Sequence, residues 1–320
     1  MLITGISMAF MATLCWAISA FPFTKAGRLM SVASMNLFRL LVGTLMIMLV
    51  AWISDGAGFT AIFSIKKYEE AWLWLGISGI LALGIGDYLN FRMYLILSPR
   101  YGTVLMALAP AASLLVGILL INETINLTGI IGMMITIAGV MGMSLGRTER
   151  SNIPDHGHGS VFKGILFGTI SAMCTGAGLA FSKKGFLMQA ETGNPIHPLT
   201  ASFIRFISAT VVVVIAMMLN KKFFHHIKNI LSQRWPVLRI AWAGTIFGPL
   251  LAVSFALGSI QYINVAAAQT IFALVPVITL LIAHFIYKEK ITRHALAGVA
   301  AAIAGVLILI WRIKIQAMMS

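Results

Sequence analysis

Ten stretches of this sequence are apolar over the length of a membrane span, and this feature constrains the fold more than any other. A helix needs about 20 mostly apolar residues to cross the hydrocarbon core of a bilayer. Hydrophobic residues make up 59% of the chain and charged residues only 10%, which leaves too little polar surface to cover a water-soluble domain. The sequence therefore predicts an all-α integral membrane protein with ten transmembrane helices. The apolar stretches lie at about 4–24, 34–53, 72–96, 102–121, 127–146, 161–182, 200–219, 236–259, 265–286 and 294–312.

The net charge of +14 does not indicate a nucleic-acid-binding protein, because the basic residues are scattered in the separators between apolar stretches. Basic residues in a membrane protein mostly flank the helices and set their orientation. The separators after odd-numbered helices carry 14 Lys and Arg, and the other side carries 6. This count places both termini outside, although much of the excess falls on 220–239, which is also a candidate interfacial helix.

The sequence contains no pattern typical of an enzyme or of a cofactor site. Its two cysteines, Cys15 and Cys174, lie inside apolar stretches, where a disulfide or a metal site is not expected. A P-loop is absent, so ATP is not the expected energy source, and the common hydrolase motifs are absent as well. We therefore expect no catalytic residue, no metal and no cofactor.

The second half of the chain repeats the first half, at an offset of 159 residues in the first helices and of 166 residues further on. Because five helices lie on each side of a polar linker, the second copy enters the membrane upside down relative to the first. The sequence thus predicts two inverted five-helix repeats, over 1–148 and 161–315, joined by the linker 149–160. The matched residues include Cys15 with Cys174, Lys25 with Lys184, Arg39 with Arg205, Pro110 with Pro276 and Glu123 with Glu289.

A duplicated pattern of proline, glutamate and a glycine-rich helix ends each half. It runs from Leu108-Ala109-Pro110 to Asn122-Glu123-Thr124-Ile125, and again from Leu274-Val275-Pro276 to Lys288-Glu289-Lys290-Ile291. With Trp16 in the first helix, the pattern resembles the EamA-type transporters of the drug/metabolite transporter superfamily. The resemblance covers 5–146 and 161–312 and implies a protein that exports or exchanges small metabolites, amino acids or drugs. It also implies termini on the inside, the reverse of the charge count.

Four ionisable residues lie inside the predicted helices, where each costs about 2.5–3.5 kcal/mol and is a functional candidate by default. Two of them, Arg39 and Arg205, lie near the start of helices two and seven. They either face a cavity, where they hold an anionic group or pair with an aspartate, or extend to the membrane interface. The four residues are Arg39, Asp87, Arg92 and Arg205.

Asp87 is the only acidic residue deep in any predicted helix, and Asn90 and Tyr94 share its helix face. On a cavity wall, Asp87 could bind a substrate ammonium or carry a coupling proton, because burial favours the protonated form of a carboxylate. Alternatively, it forms a structural ion pair with Arg39, or a longer-range one with Arg92. The aligned part of helix eight is apolar, so the second half contains no copy of this acid.

Helix breaks occur at matching places in the two halves, and such breaks are good indicators of a transporter's binding site. Helix three contains Gly84 and Gly86 where helix eight contains Gly248 and Pro249. Around the prolines of helices four and nine, polar groups recur at helical spacing. This spacing favours a cavity wall over hydroxyls that bond back to their own helix. The positions are Thr103, Met106, Pro110 and Ser113 in helix four, and Gln269, Phe272, Pro276 and Thr279 in helix nine.

Two glutamates at helix ends are candidate helix caps, and one tryptophan is a candidate cavity residue. Glu123 and Glu289 end helices four and nine, too near the interface for substrate binding, and we expect each to cap the following helix. Trp16 is the one tryptophan deep enough in a helix to line a cavity, whereas the others match an interfacial belt.

Helices five and ten carry small residues at regular spacing, which let helices approach closely. We expect these faces to pack the two halves together rather than to form a dimer. The glycines concerned are Gly132, Gly139, Gly298 and Gly305.

Together, these features predict a secondary transporter, an exporter or exchanger that moves a small organic metabolite, amino acid or drug-like solute by alternating access. A solute gradient or a proton gradient would drive it. The competing interpretations are an intramembrane enzyme, which needs a polar catalytic cluster, and a non-transporting scaffold, which leaves the duplicated helix breaks unexplained. The expected partners are the solute and membrane lipid, without nucleic acid, for a monomer or homodimer in the plasma (inner) membrane.

Overall fold

The computed structural model describes residues 1–27, 29–144, 160–287 and 292–319, and every regular element among them is helical. Eight helical stretches in this part of the chain are long and apolar enough to cross a membrane, whereas ten were expected. Two shorter apolar helices, Ala109–Ile121 and Leu127–Gly142, lie where the sequence predicted two further spans. The prediction of an all-α membrane protein is confirmed. The eight long stretches are Leu2–Gly27, Val32–Gly56, Glu69–Tyr94, Val161–Glu191, Pro198–Leu219, Trp235–Ile260, Val265–Ile282 and Arg293–Trp311.

Fourteen α-helices follow one another along the described residues, and two π-helical segments join pairs of them. Helices α2 and α7 begin at serine caps, because the side chains of Ser31 and Ser160 accept hydrogen bonds from backbone N–H groups three residues later. The first-half helices are α1 (Leu2–Gly27), α2 (Val32–Ala61), α3 (Glu69–Gly79), α4 (Asp87–Met106), α5 (Ala109–Ile121) and α6 (Leu127–Ser144). The second-half helices are α7 (Val161–Glu191), α8 (Pro198–Leu219), α9 (Phe223–Leu231), α10 (Trp235–Thr245), α11 (Val253–Ile260), α12 (Val265–Phe272), α13 (Val275–Tyr287) and α14 (Arg293–Met319).

The two π segments lie at equivalent places in the repeat. The first, Ile80–Gly86, joins α3 to α4, and the second, Ile246–Ala252, joins α10 to α11, so the segments start 166 residues apart. They contain the glycines and the proline that the sequence identified as helix breaks. A π segment widens the helix and shifts its backbone hydrogen bonds, and such segments occur frequently at functional sites. The expected breaks in helices three and eight therefore take the form of π segments inside continuous helices.

The two prolines of the repeated motif start helices instead of interrupting them. A two-residue break follows both α4 and α12, and Pro110 and Pro276 are the second residues of the next helices, α5 and α13. A proline costs no hydrogen bond in the first turn, because the N–H there has no partner within the helix. Each proline therefore lies in the first turn of the helix that follows a break, and not in the middle of a continuous helix.

The predicted boundary between helices three and four, near 97–101, is also wrong. Helix α4 continues through Pro99 to Met106. A proline inside a membrane helix is tolerated where neighbouring helices satisfy the backbone groups that it leaves free.

Helices α6 and α14 pack backbone to backbone in an antiparallel arrangement. A Cβ atom on Gly132 would lie 2.7 Å from the Gly305 carbonyl oxygen, and one on Gly139 would lie 2.7 Å from the Gly298 carbonyl oxygen. Gly132 is the repeat equivalent of Gly298, and Gly139 is the repeat equivalent of Gly305. The contact between Gly132 and Gly305 is therefore equivalent to the contact between Gly298 and Gly139. The two contacts are thus reciprocal between the halves. The prediction that the glycines pack the two halves together is confirmed.

Helices α2 and α8 also meet at equivalent residues. Thr44 Oγ1 lies 2.9 Å from Thr210 Oγ1, and these threonines are repeat equivalents. This contact therefore joins a residue of the first half to its own equivalent in the second half. Arg39 and Arg205 lie on the same two helices, between one and two turns before the threonines. The two arginines therefore lie on contacting helices, close to the place where these helices meet.

The first helix of each half packs mainly against the other half. Helix α1 contacts α10, α11, α13 and the second π segment, whereas α7 contacts α3, α4, α5 and the first π segment. At these interfaces a Cβ on Gly244 would lie 2.8 Å from the Phe23 ring, and one on Gly176 would lie 2.8 Å from the Ser113 backbone nitrogen. The two halves are thus exchanged in their first helices: α1 packs within the second half, and α7 packs within the first half.

Helix α9 is a short basic helix in the segment 220–239, where the sequence allowed an interfacial helix. His226 Nδ1 lies 3.0 Å from Ser34 Oγ near the start of α2, which ties α9 to that helix. Burial lowers the pKa of His226, and the positive charges of His225 and Lys222 lower it further.

Candidate functional site

The aspartate in the middle of the third predicted helix is paired with an arginine. Asp87 Oδ2 lies 2.7 Å from Arg39 Nη1. Asp87 is the first residue of α4, directly after the first π segment, and that segment sets its position against α2. The Arg39 side chain is 8% exposed and that of Asp87 is 24% exposed. The ion pair that the sequence offered as one interpretation of Asp87 is therefore present.

Arg39 makes three further contacts that hold it in place. Its Nη2 donates to Asn36 Oδ1 at 3.1 Å and to the Leu83 carbonyl oxygen at 3.3 Å. Its guanidinium carbon lies 5.7 Å from the centroid of the Phe91 ring, within the range of a cation–π contact. Leu83 lies in the first π segment, where the shifted hydrogen-bond pattern makes carbonyl groups available to side chains. The arginine and the π segment thus stabilise each other.

Arg205, the repeat equivalent of Arg39, is buried, and no hydrogen bond or ion pair joins its side chain to another residue that the structure describes. Its residue is 4% exposed, and its Nε atom has no hydrogen-bond partner. No carboxylate of the described residues lies within ion-pair distance of its guanidinium, although the charge of Asp87 acts on it from further away. Tertiary packing encloses both arginine side chains, which favours the interpretation that they face the protein interior over the alternative that they extend to the interface.

Asn90 and Tyr94 join Asp87, as their common helix face predicted. The Tyr94 side chain interacts with that of Asn90 and with the charge of Asp87. The Asn90 Oδ1 atom is buried and has no hydrogen-bond partner. Arg92, by contrast, is exposed on another side of α4. We use the term buried polar cluster for Asn36, Arg39, Asp87, Asn90, Tyr94 and Arg205.

Trp16 lies at the break between α12 and α13. Its ring meets that of Phe272 edge to face, with centroids 5.0 Å apart. One turn earlier in α1, Thr13 Oγ1 donates to the Ile271 carbonyl oxygen at 3.3 Å. Gln269 is buried in the same short helix as Phe272. The aromatic residue and the second broken helix are therefore in contact, which the sequence did not indicate.

The hydroxyl groups near the prolines bond back to their own helices. Ser113 Oγ donates to the Pro110 carbonyl oxygen and Thr279 Oγ1 donates to the Val275 carbonyl oxygen, both at 2.8 Å. The helical spacing of these residues had favoured a cavity wall over this arrangement. The Thr103 side chain lies outside the described part of the structure.

Glu123 caps a helix of the other half. Its two carboxylate oxygens accept from the backbone N–H of Val265, the first residue of α12, at 3.0 and 2.9 Å. Lys183 Nζ lies 3.1 Å from Glu123 Oε1 and donates to the Ile263 carbonyl oxygen at 2.8 Å. Glu123 was expected to cap the following helix, α6, but its carboxylate caps α12 instead. The turn before α12 packs against the loop that contains Glu123, where Asn264 Nδ2 donates to the Thr124 carbonyl oxygen at 3.0 Å. Glu289 lies outside the described residues.

Replacing Glu123 with alanine is expected to lower the free energy of unfolding by about 3 kcal/mol, because it leaves the largely buried Lys183 without a counter-charge. The start of α12 also loses its acceptor. Chemical unfolding in detergent micelles measures this change. The matched control is Glu191→Ala at the exposed end of α7, for which we expect less than about 0.5 kcal/mol. Equal losses for the two variants would contradict the structural role of Glu123.

Comparison with known proteins gives a consistent picture. The model of the EamA-like transporter family matches residues 3–145 and 162–311. "Uncharacterized inner membrane transporter YhbE" of Escherichia coli K12 is 30% identical over 142 residues, which cover 44% of this chain and 41% of that protein. The protein of the same name from Shigella flexneri matches equally, so the chain spans about two fifths of the length of these curated relatives. A solved crystal structure with 15% identity has a TM-score of 0.67 over 96% of both chains, which supports a shared fold.

Proposed function

Because the chain belongs to the EamA-like transporter family, we propose that it is a secondary transporter that moves a small organic solute across the inner membrane by alternating access. The solute class is a metabolite, an amino acid or a drug-like compound. The name of the curated relatives, inner membrane transporters, supports both the location and the type of activity. A multi-pass protein with duplicated halves has the organisation of many secondary carriers.

The contacts between the halves support an inverted repeat of ten crossing helices, with the boundaries 1–148, 149–160 and 161–315. Helices α6 and α14 are repeat equivalents, and they run antiparallel where their glycines meet. Two equivalent helices that point in opposite directions require a two-fold axis perpendicular to both of them. For helices that cross a membrane, such an axis lies in the membrane plane, which is the symmetry that alternating access uses.

The observation that carries the proposal is the buried polar cluster beside the first π segment. Ionisable groups in a membrane interior are costly, and they persist where they serve transport. The broken helix α12–α13 contributes a second set of polar and aromatic residues, where Trp16 packs against Phe272 beside the buried Gln269. The proposed path residues in the cluster are Arg39, Asp87, Asn90, Tyr94 and Arg205. Those at the break between α12 and α13 are Trp16, Gln269 and Pro276, and those at the break between α4 and α5 are Thr103 and Pro110. Ser113 of α5 and Thr279 of α13 belong to the supporting walls of the path.

Asp87 is the proposed carrier of a coupling proton. Protonation removes the negative charge that holds Arg39, and α2 and α4 then lose the ion pair between them. A proton on Asp87 would therefore change the contact between two helices that belong to the path. This supplies a physical link between proton occupancy and conformational change.

Flux from proteoliposomes tests the function. Vesicles that contain the protein and a defined metabolite mixture are expected to release at least one solute faster than protein-free vesicles. An imposed pH gradient is expected to change that rate in the wild type and in the control Glu191→Gln, but not in Asp87→Asn. If no solute leaves in a protein-dependent manner, the transport proposal is wrong. If Asp87→Asn retains the pH response, only the proton role is wrong.

A further inference from the structure

The repeat supplies an arginine twice but a carboxylate only once. Asp87 begins α4 directly after the first π segment, and the residue 166 positions later, Val253, begins α11 directly after the second π segment. Arg39 therefore has a counter-ion, whereas its equivalent Arg205 has a valine at the matching position. The two π segments and the helices that follow them start at equivalent positions in both halves, so the backbone framework is shared. The other polar and aromatic neighbours of Arg39 and Asp87 also lack copies, since Ser202, Ala256 and Leu257 stand at the positions equivalent to Asn36, Asn90 and Phe91.

Arg205 and Val253 lie on helices that meet at this level. Ser202 Oγ, one turn before Arg205 on α8, lies 3.4 Å from Ser254 Oγ, which is adjacent to Val253 on α11. Arg205 and Val253 are both buried, at 4% and 5% exposure. An anionic group that reached this region would meet the Arg205 guanidinium in an environment shielded from bulk water.

The charges of the cluster do not balance. Arg39 and Arg205 contribute two positive charges and Asp87 contributes one negative charge, which leaves one positive charge in a buried region. A buried charge without a partner is strongly disfavoured, so a group that pairs with it gains a large part of that interaction. One monovalent anion would bring the cluster to neutrality.

We propose that the transported solute carries a carboxylate group that pairs with Arg205, in place of the acid that the repeat omits at position 253. This inference rests on the proposed transport function and names its substrate class. A planar guanidinium binds a carboxylate through two parallel N–H···O hydrogen bonds, which gives the site geometric selectivity for that group. With the solute bound, the cluster holds two ion pairs, and the pair between Arg39 and Asp87 stays in place.

Thermal stabilisation of the purified full chain in detergent tests the site without requiring transport. The probes are hexanoate and 3-phenylpropanoate, each compared with its amide and with the corresponding primary amine at constant ionic strength. We expect the carboxylates to raise the melting temperature and the amides and amines to leave it unchanged. The Arg205→Gln variant is expected to lose about tenfold or more in carboxylate affinity. The control Arg92→Gln, at an exposed position of α4, is expected to retain it.

A second pair of variants tests the position of the site even if Arg205→Gln folds poorly. Val253→Asp supplies the missing carboxylate from within the chain, whereas Val253→Asn has the same shape without the charge. We expect Val253→Asp to melt at a higher temperature than Val253→Asn and to lose its response to added carboxylates. Equal melting temperatures and equal responses in the two variants would overturn the assignment.

The outcomes separate this inference from the transport proposal. If carboxylates stabilise the wild type but none leaves proteoliposomes, the anion site stands and the transport proposal is wrong. If amines or neutral solutes are transported and Arg205→Gln transports them normally, transport stands and the carboxylate inference is wrong. Stabilisation of the wild type by inorganic phosphate but by neither carboxylate would also overturn the inference.

Discussion

Replacing Gly305 with leucine is expected to lower the free energy of unfolding by about 3 kcal/mol, because the side chain has no room between α6 and α14. A Cβ atom at this position would lie 2.5 Å from the Gly132 carbonyl oxygen and 2.5 Å from the Thr136 backbone nitrogen. Both neighbours are backbone atoms, so the helices must separate to accommodate any side chain. Separation removes the close backbone contact on which membrane helices depend for packing.

The control for this experiment is Gly142→Leu on α6. A Cβ atom at Gly142 meets nothing within 4 Å, so the added side chain enters open space. Leucine also favours the helix more than glycine does, and we expect a change of less than about 1 kcal/mol in either direction. Denaturant titration in mixed micelles gives the free energies. Equal stability of Gly305→Leu and Gly142→Leu would show that α6 and α14 do not pack as described.

The Asp87→Asn variant is expected to lose about 3 kcal/mol of stability, because Arg39 then remains buried without a counter-charge. Arg39 keeps its hydrogen bonds to Asn36 and to the Leu83 carbonyl oxygen, but these neutral groups do not replace the carboxylate. Arg39→Gln is expected to be milder, because Asp87 is partly exposed and can bind a proton. The double variant removes both charges and should recover much of the loss.

A double-mutant cycle converts these values into a coupling energy for the pair. We expect a coupling of about 1–3 kcal/mol between Arg39 and Asp87, measured by unfolding in the same micelles. Arg92→Gln combined with Asp87→Asn is the matched control, since Arg92 lies on an exposed part of α4 and its effect should add to that of Asp87→Asn. Strict additivity for Arg39 and Asp87 would mean that the ion pair contributes nothing to the fold.

Much of the fold follows from local properties of the sequence. The repeat offset of 166 residues, found from matched residues, is also the spacing of the two π segments. The glycines at regular spacing correctly predicted the close contact of α6 with α14. The common face of Asp87, Asn90 and Tyr94 follows from helical periodicity alone, and the structure brings these residues together.

The candidate site was only partly predictable. The sequence identified Arg39, Asp87 and Arg205 as costly residues in the membrane, but it left open whether the arginines were paired or interfacial. Asn36 and Lys183 gave no signal, because an amide and a lysine near helix ends are common in any membrane protein. Their roles depend on partners far away in the sequence, namely the Arg39 guanidinium for Asn36 and Glu123 for Lys183.

The sequence by itself determined that the chain is a duplicated bundle of membrane helices, because bilayer solvation imposes a length and an apolar composition on every span. Only the tertiary structure decided that α1 and α7 are exchanged between the halves and that Glu123 caps α12. It also decided that Arg39, unlike Arg205, forms an ion pair with a carboxylate of the described residues. The physical reason is that lipid-facing and protein-facing surfaces of membrane helices are both apolar. Composition therefore shows which segments enter the membrane, but the fit between distant helix surfaces selects the neighbours, and those neighbours determine which charges are balanced.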